Sequence, residues 1–318
     1  MEFPLIVSSP PVRSTDHRLL KESIIFHHSS AILFPSLVHP QFAGKCARIG
    51  RSRLLSTYAT SDSVASMVTI LRDGGSAALV MVGGYSLVRA FDSLTMRNVI
   101  EQSLSRKIVH VLSGLLYMAS WPMFRPTIFV FLLPPCSSSS EARYFAALVP
   151  LLNSIRLIIY GLSIVTDESL IKSVTREGKS KELLRGPLYY VLVLLFSSLF
   201  FWRESPIGII LVAMMSGGDG FADILGRRYG SLKLPHNRKK SWIGSISMFI
   251  FGFIFSIMML YYFSAFGYFH LDWRTVEKVV LVSLAATIAE SLPISQVIDD
   301  NITVPIISTL AACLVFGN

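Results

Sequence analysis

Eight apolar segments punctuate the chain, at residues 75–91, 108–124, 143–165, 187–203, 206–218, 243–266, 276–292 and 302–317. A helix crossing a bilayer needs about 20 apolar residues. The segment at 75–91 reads as marginal and that at 206–218 as short for a full crossing, so the pattern predicts six to eight crossings. The expected fold class is all-α, a polytopic membrane helical bundle.

Threading these segments alternately through a bilayer sorts the polar connections. Residues 92–107, 166–186, the stretch from Asp219 to Lys240, and the Asp299-Asp300-Asn301 turn fall on one side. The other side receives 125–142 and the short tip Arg203-Glu204-Ser205. The first side is the richer in Lys and Arg, which places it in the cytosol or a stroma by the positive-inside rule. Its acidic residues cluster there too, and orientation by charge does not explain them.

Composition agrees with the pattern. Of 318 residues, 52% are hydrophobic and 15% charged, too apolar for an ordinary soluble domain. The formal net charge is +9, and residues 1–60 contribute seven Lys/Arg against Glu2, Asp16 and Glu22. That segment is rich in Ser, Arg and His and has no apolar core long enough for a secretory signal. It reads as an organelle transit peptide or a disordered tail, with 61–318 as the membrane domain. No basic patch interleaved with aromatics points to nucleic acid. Cys46, Cys136 and Cys313 are far apart, which argues against zinc and against a disulfide framework. Residues 125–140 (RPTIFVFLLPPCSSSS) have the composition that a translated pyrimidine-rich tract gives, and read as an insertion or as a loop with an apolar knot.

The longest polar stretch in the second half, SGGDGFADILGRRYGSLKLPHNRKKSWIGS (216–245), carries the densest chemistry. Asp219 and Asp223 share one face if helical. Two carboxylates suit Mg²⁺, which takes one or two protein ligands and completes its shell with phosphate oxygens and water. Gly217, Gly218 and Gly220 around the first aspartate would let a backbone or a phosphate approach. Arg227, Lys239, Lys240 and Ser241, the last three at the start of the 243–266 segment, suit phosphate. The alternative is a basic loop oriented by its charge. No Walker A loop occurs, which excludes a soluble-type ATPase site.

Three further groups are candidates. Arg106, Lys107 and His110 share a helical side at the head of the second segment, as a phosphate clamp or acid/base, or as interface anchors with a satisfied histidine. Asn153 and Arg156 lie inside the third segment, facing substrate or closing an ion pair. Arg185-Gly186-Pro187 opens the fourth segment. Glu290 with Asp299 and Asp300 supplies carboxylates for a metal or for accepting a hydroxyl proton, against a plain turn-forming role.

The segments GGDGFADILGRRYG…KLPHNRKKSWIGS, QSLSRKIVHVLSGL (102–115), EARYFAALVPLLNSIRL (141–157), SLIKSVTREG (169–178), LLRGPLYY (183–190), FFWRESPIG (200–208) and ESLPISQVIDDNITVP (290–305) occur in the order and spacing of a known family. The chain resembles the polyprenol kinase family, and within it the chloroplast phytol kinases, over about residues 84–318 apart from the inserted tract. It is also weakly similar to CTP-dependent cytidylyltransferases. The resemblance implies a chloroplast membrane enzyme, active on its stromal face, that phosphorylates phytol with CTP in the presence of Mg²⁺ and feeds tocopherol synthesis. The resemblance extends to geranylgeraniol or farnesol as further acceptors, and the alternatives are a farnesol kinase and a CTP-dependent cytidylyltransferase acting on a lipid phosphate. It implies Asp219 and Asp223 for the metal–nucleotide complex and Gly218, Gly220, Arg227, Lys239, Lys240, Ser241, Arg106 and Lys107 for phosphate. Asp299 or Asp300 would be the base or a second metal site, and His110 would border the reacting hydroxyl.

Overall fold

The computed structural model describes residues 40–124, 142–165, 171, 174–175, 178–293 and 298–317, with side chains from Met67 onward. The chain divides into two compact units, Met1–Tyr58 and Ala59–Asn318. In the first, the described part is helical from Pro40. All that follows concerns the second. Residues 1–39 of the expected transit segment and the 125–140 tract lie outside the described residues.

The helices are α1 (Pro40–Met96), α2 (Gln102–Ala119), α3 (Ala142–Gly161), α4 (Gly186–Phe200), α5 (Pro206–Ala213), α6 (Asp219–Tyr229), α7 (Trp242–Ala265), α8 (Trp273–Ser291) and α9 (Asp300–Phe316). Sequence signals mark their starts. Pro187 and Pro206 sit in the first turns of α4 and α5, where a missing N–H costs nothing. Ser241 caps α7 by accepting from the Gly244 amide, and Asp272 caps α8 by accepting from that of Thr275. Every predicted apolar segment falls on a helix, and the all-α bundle is as expected among the described residues. Among the described residues five helices are long and apolar enough to cross a membrane, while α9 is a shorter apolar helix.

Two expectations change. The first segment belongs to a helical stretch, Met67–Met96, long enough for a full crossing. The charges at Arg72, Asp73, Arg89 and Asp92 had masked its ends. The fifth, expected as a short span ending at residue 218, continues as helix beyond it. One π-helical turn, Met214–Gly218, joins α5 to α6, and the helix runs from Pro206 to Tyr229.

This is the central helix of the bundle. Of its most apolar window 78% is buried, against at most 44% in the other candidate spans. Ile209 through Met215 are all buried, packed by α7, α9 and α2. The glycines there permit close packing. A Cβ on Gly218 would sit 3.3 Å from the Gly252 Cα of α7, and one on Gly220 would sit 2.2 Å from the Val111 Cγ2 of α2. Side chains there would hold α6 away from both neighbours.

α1 flanks α2. Ser105 Oγ donates to Phe91 O near one end (3.4 Å) and Ser76 Oγ to Met123 O near the other (3.5 Å). At that second end the buried Arg203 donates to the carbonyls of Trp121 and Phe124, so the Arg203–Ser205 tip and the end of α2 share a face, as threading implied.

Candidate active site

At the opposite end, polar groups from four parts of the chain meet. Asp219 and Asp223 project from the first two turns of α6 toward α2. Lys107 Nζ lies 3.2 Å from Asp219 Oδ2 and 3.5 Å from Asp223 Oδ2. Arg227 Nε, one turn further, lies 2.7 Å from Asp223 Oδ1. His110 Nε2 is 3.3 Å from Met215 O and 3.9 Å from Asp219 Oδ2. A ring nitrogen facing a carbonyl oxygen carries the hydrogen, so this one donates. Met215 lies within the π turn Met214–Gly218. The His110 ring also packs against that of Tyr190 of α4, centroids 4.0 Å apart and planes tilted by 40°, and the Tyr190 hydroxyl donates to His110 O at 2.7 Å.

A second cluster is built on the connection between α6 and α7. An isolated antiparallel bridge joins Lys233 and Ser241. Asn237 pins this loop, donating to Ser291 O and Leu292 O at 3.2 Å each. Lys240 then reaches Glu290 Oε1 of α8 and lies 2.9 Å from Asp300 Oδ2 of α9. Burial works against the ammonium of Lys240, but Glu290, Asp300 and Asp219 outweigh it and raise its pKa. Burial pushes the Asp300 carboxyl up to about 6, with Asp219 and Glu290 adding to it and Lys240 opposing.

Two cavities adjoin these clusters. The polar one, of about 520 Å³, is lined by Asp219, Asp223, Arg227, Lys233, Lys239, Lys240, Ser241, Glu290 and Asp300, and by Gly226 and Gly244. The larger, of about 1160 Å³, is mainly apolar and lies among α1, α2, α3 and α4. Arg106 and His110 face this second cavity. Lys107, Asp299 and Asn301 line both. Asp299 caps α9, its Oδ1 accepting from Asn301 N at 3.0 Å and Asn301 Nδ2 at 2.8 Å.

The sequence candidates therefore separate. Asp219, Asp223, Arg227, Lys239, Lys240, Ser241, Asp300, Lys107 and Asp299 line the polar cavity, though Ser241 Oγ is engaged as a helix cap. Gly218 and Gly220 do not line it, because their missing side chains face α7 and α2. Arg156 closes no ion pair with a carboxylate among the described residues; its guanidinium lies over the rings of Tyr85 (5.4 Å) and Tyr160 (5.5 Å), facing the apolar cavity. Tyr190 and Asn237 were not singled out from sequence. Nothing in a single sequence marks them beyond their nearness to Gly186-Pro187 and to the basic run.

Among the described residues no three His, Cys, Asp or Glu side chains are grouped to hold a metal on their own. Asp219 and Asp223, which converge on Lys107, are two carboxylates that could join phosphate oxygens around a divalent cation. Asp300 Oδ1 and Asn301 Oδ1, both buried without a hydrogen-bond partner, leave acceptors for a ligand or for water at the same wall.

The chain is 61% identical over 257 residues to a maize protein described as "Probable phytol kinase, chloroplastic", covering 80% of this chain and 81% of that one. It is 54% identical over 279 residues to "Phytol kinase 1, chloroplastic" of Arabidopsis thaliana, covering 87% and 88%. It is 38% identical over 269 residues to "Farnesol kinase, chloroplastic" of the same plant, covering 83% and 84%. No protein-family profile and no solved structure matches it.

Proposed function

We infer the chain's activity from one premise: it belongs to the family of plant chloroplast phytol kinases. It is a membrane enzyme that phosphorylates phytol. CTP is the phosphoryl donor, Mg²⁺ accompanies it, and the basic end of the bundle faces the stroma.

The observation that carries this reading is the meeting of two unlike cavities at Lys107, Asp299 and Asn301. A lipid alcohol and a nucleotide come from different phases, and their reacting atoms must meet at one place. The apolar cavity accepts the prenyl chain with its hydroxyl toward the junction. The polar cavity accepts the triphosphate. Asp219 and Asp223 hold the metal–nucleotide complex, and Lys107, Lys239 and Lys240 draw off phosphate charge. When bound there, a divalent cation supplies neutralisation of the charge that builds on the leaving diphosphate.

Asp299 is better placed than Asp300 as the proton acceptor. Asp299 borders both cavities, whereas Asp300 lines only the polar one and pairs with Lys240. The alcohol oxygen forms a bond to the γ-phosphorus, the bond to the CDP oxygen breaks, and the hydroxyl proton passes to Asp299. His110, its Nε2 engaged by Met215, positions rather than accepts. With so little covalent work for the protein, catalysis here is placement and charge compensation.

The test is to incubate membranes carrying the protein with phytol and γ-labelled CTP, with labelled ATP in parallel. Labelled phytyl phosphate with CDP is expected. Label released as pyrophosphate would instead mark a cytidylyl transfer, and no labelled lipid with either nucleotide would overturn the kinase reading.

A further inference from the structure

The apolar cavity follows α2 for nearly its whole length. Lys107, His110, Ser113, Leu116, Tyr117 and Ser120 all line it, a stripe at the three- and four-residue spacing of one helical face. From Lys107 at the junction to Ser120, this stripe is about 20 Å long at a rise of about 1.5 Å per residue, and Met123 lines the cavity beyond it. The other walls are mainly apolar side chains of α1, α3 and α4.

An extended carbon chain advances roughly 1.25 Å per bond, given bond lengths and angles like those of the backbone Cα–C bond. The main chain of a C20 prenyl alcohol, about sixteen carbons, then spans about 19 Å, and that of a C15 alcohol about 14 Å. The longer chain reaches from the junction to Ser120. The shorter one stops near Leu116 and leaves the last turn unfilled, forgoing the burial of about four methylenes.

We propose that Leu116 and Ser120 form the chain-length gauge of the acceptor slot, so that this enzyme discriminates C20 from C15 prenyl alcohols at the end of the cavity remote from the chemistry. This rests on the kinase reading above. Leu116 offers the cleaner test. Its side chain is 55% exposed while lining the slot, so enlarging it need not disturb the core. Ser120 is buried and its hydroxyl donates to Tyr117 O at 2.6 Å, so a change there also disturbs the end of α2.

The experiment compares wild type, Leu116→Trp and Ser120→Leu in membranes, each with phytol, geranylgeraniol and farnesol, using the nucleotide that the wild type accepts. The gauge predicts that both variants lose at least tenfold in kcat/KM for the two C20 alcohols while farnesol changes less than threefold. Retained farnesol turnover shows that a variant is folded. An equal fall for all three alcohols in Leu116→Trp, or no fall for any, overturns the gauge. A wild-type protein that phosphorylates no prenol at all would instead overturn the kinase reading on which it rests.

Discussion

Lys107 Nζ stands 3.2 Å from Asp219 Oδ2, joining residues 112 positions apart in the chain, with both side chains largely buried. The pair ties α2 to the central helix and puts one cation beside both carboxylates expected to bind the metal–nucleotide complex. Removing one partner of such a buried pair leaves an uncompensated charge, at a cost of about 3–5 kcal/mol. Lys107→Met is therefore expected to lower both the thermal midpoint in detergent and the turnover. Asp219→Asn, nearly isosteric, is expected to lower turnover by about 10²–10³-fold, the scale seen when one preorganised electrostatic group is removed. Turnover of Asp219→Asn at the wild-type rate would remove Asp219 from the site.

The fold was legible because each apolar segment is long, and its polar separators are distinct in composition. The π turn was not, because Ser216-Gly217-Gly218 is also what a turn looks like in sequence. Burial against Phe255, Met248 and Gly252 settles it as helix. On the site side, Asp219, Lys240 and Asp300 were legible as charges that a membrane protein would not carry as filler. Their pairing was not, since it depends on which helices adjoin. The apolar slot was invisible for a related reason. Leu79, Val109 and Leu116 line it, yet they are the same residue types that face lipid.

Gly220 separates a packing role from a phosphate-binding role. A Cβ there meets Val111 Cγ2 at 2.2 Å. Gly220→Ala is expected to cost about 1–3 kcal/mol through overpacking. Val111→Ala removes the obstructing methyl and is expected to restore much of the thermal stability and activity in the double variant. A glycine needed for phosphate approach would gain nothing from that second change, so additive losses in the double-mutant cycle would contradict the packing role.

Asp300 predicts a pH dependence. Its carboxyl is raised to about 6, above the roughly 3.9 of an unfolded chain. The folded state thus binds this proton more tightly, and the stability it contributes is fully present below about pH 4 and lost as pH rises through about 6. Asp300→Asn removes the titration. The difference in thermal midpoint, variant minus wild type, should therefore climb between about pH 4 and 6 and level off above. A difference that stays flat across this range would contradict the raised carboxyl.

Asp299 and Asp300 are neighbours with different surroundings, and substitution should tell them apart. Asparagine caps helices as well as aspartate does, so Asp299→Asn keeps the start of α9. It removes the carboxylate that borders both cavities. If Asp299 takes the hydroxyl proton, kcat should fall by about 10²–10⁴-fold, the usual contribution of a positioned base, with KM for phytol and nucleotide little changed. Asp300→Asn instead removes one of the two carboxylates that hold Lys240, while Glu290 retains the other contact. Its loss should appear chiefly in KM for the nucleotide. Steady-state kinetics of the two variants in membranes decides the matter, and the reverse pattern would transfer the role of base to Asp300.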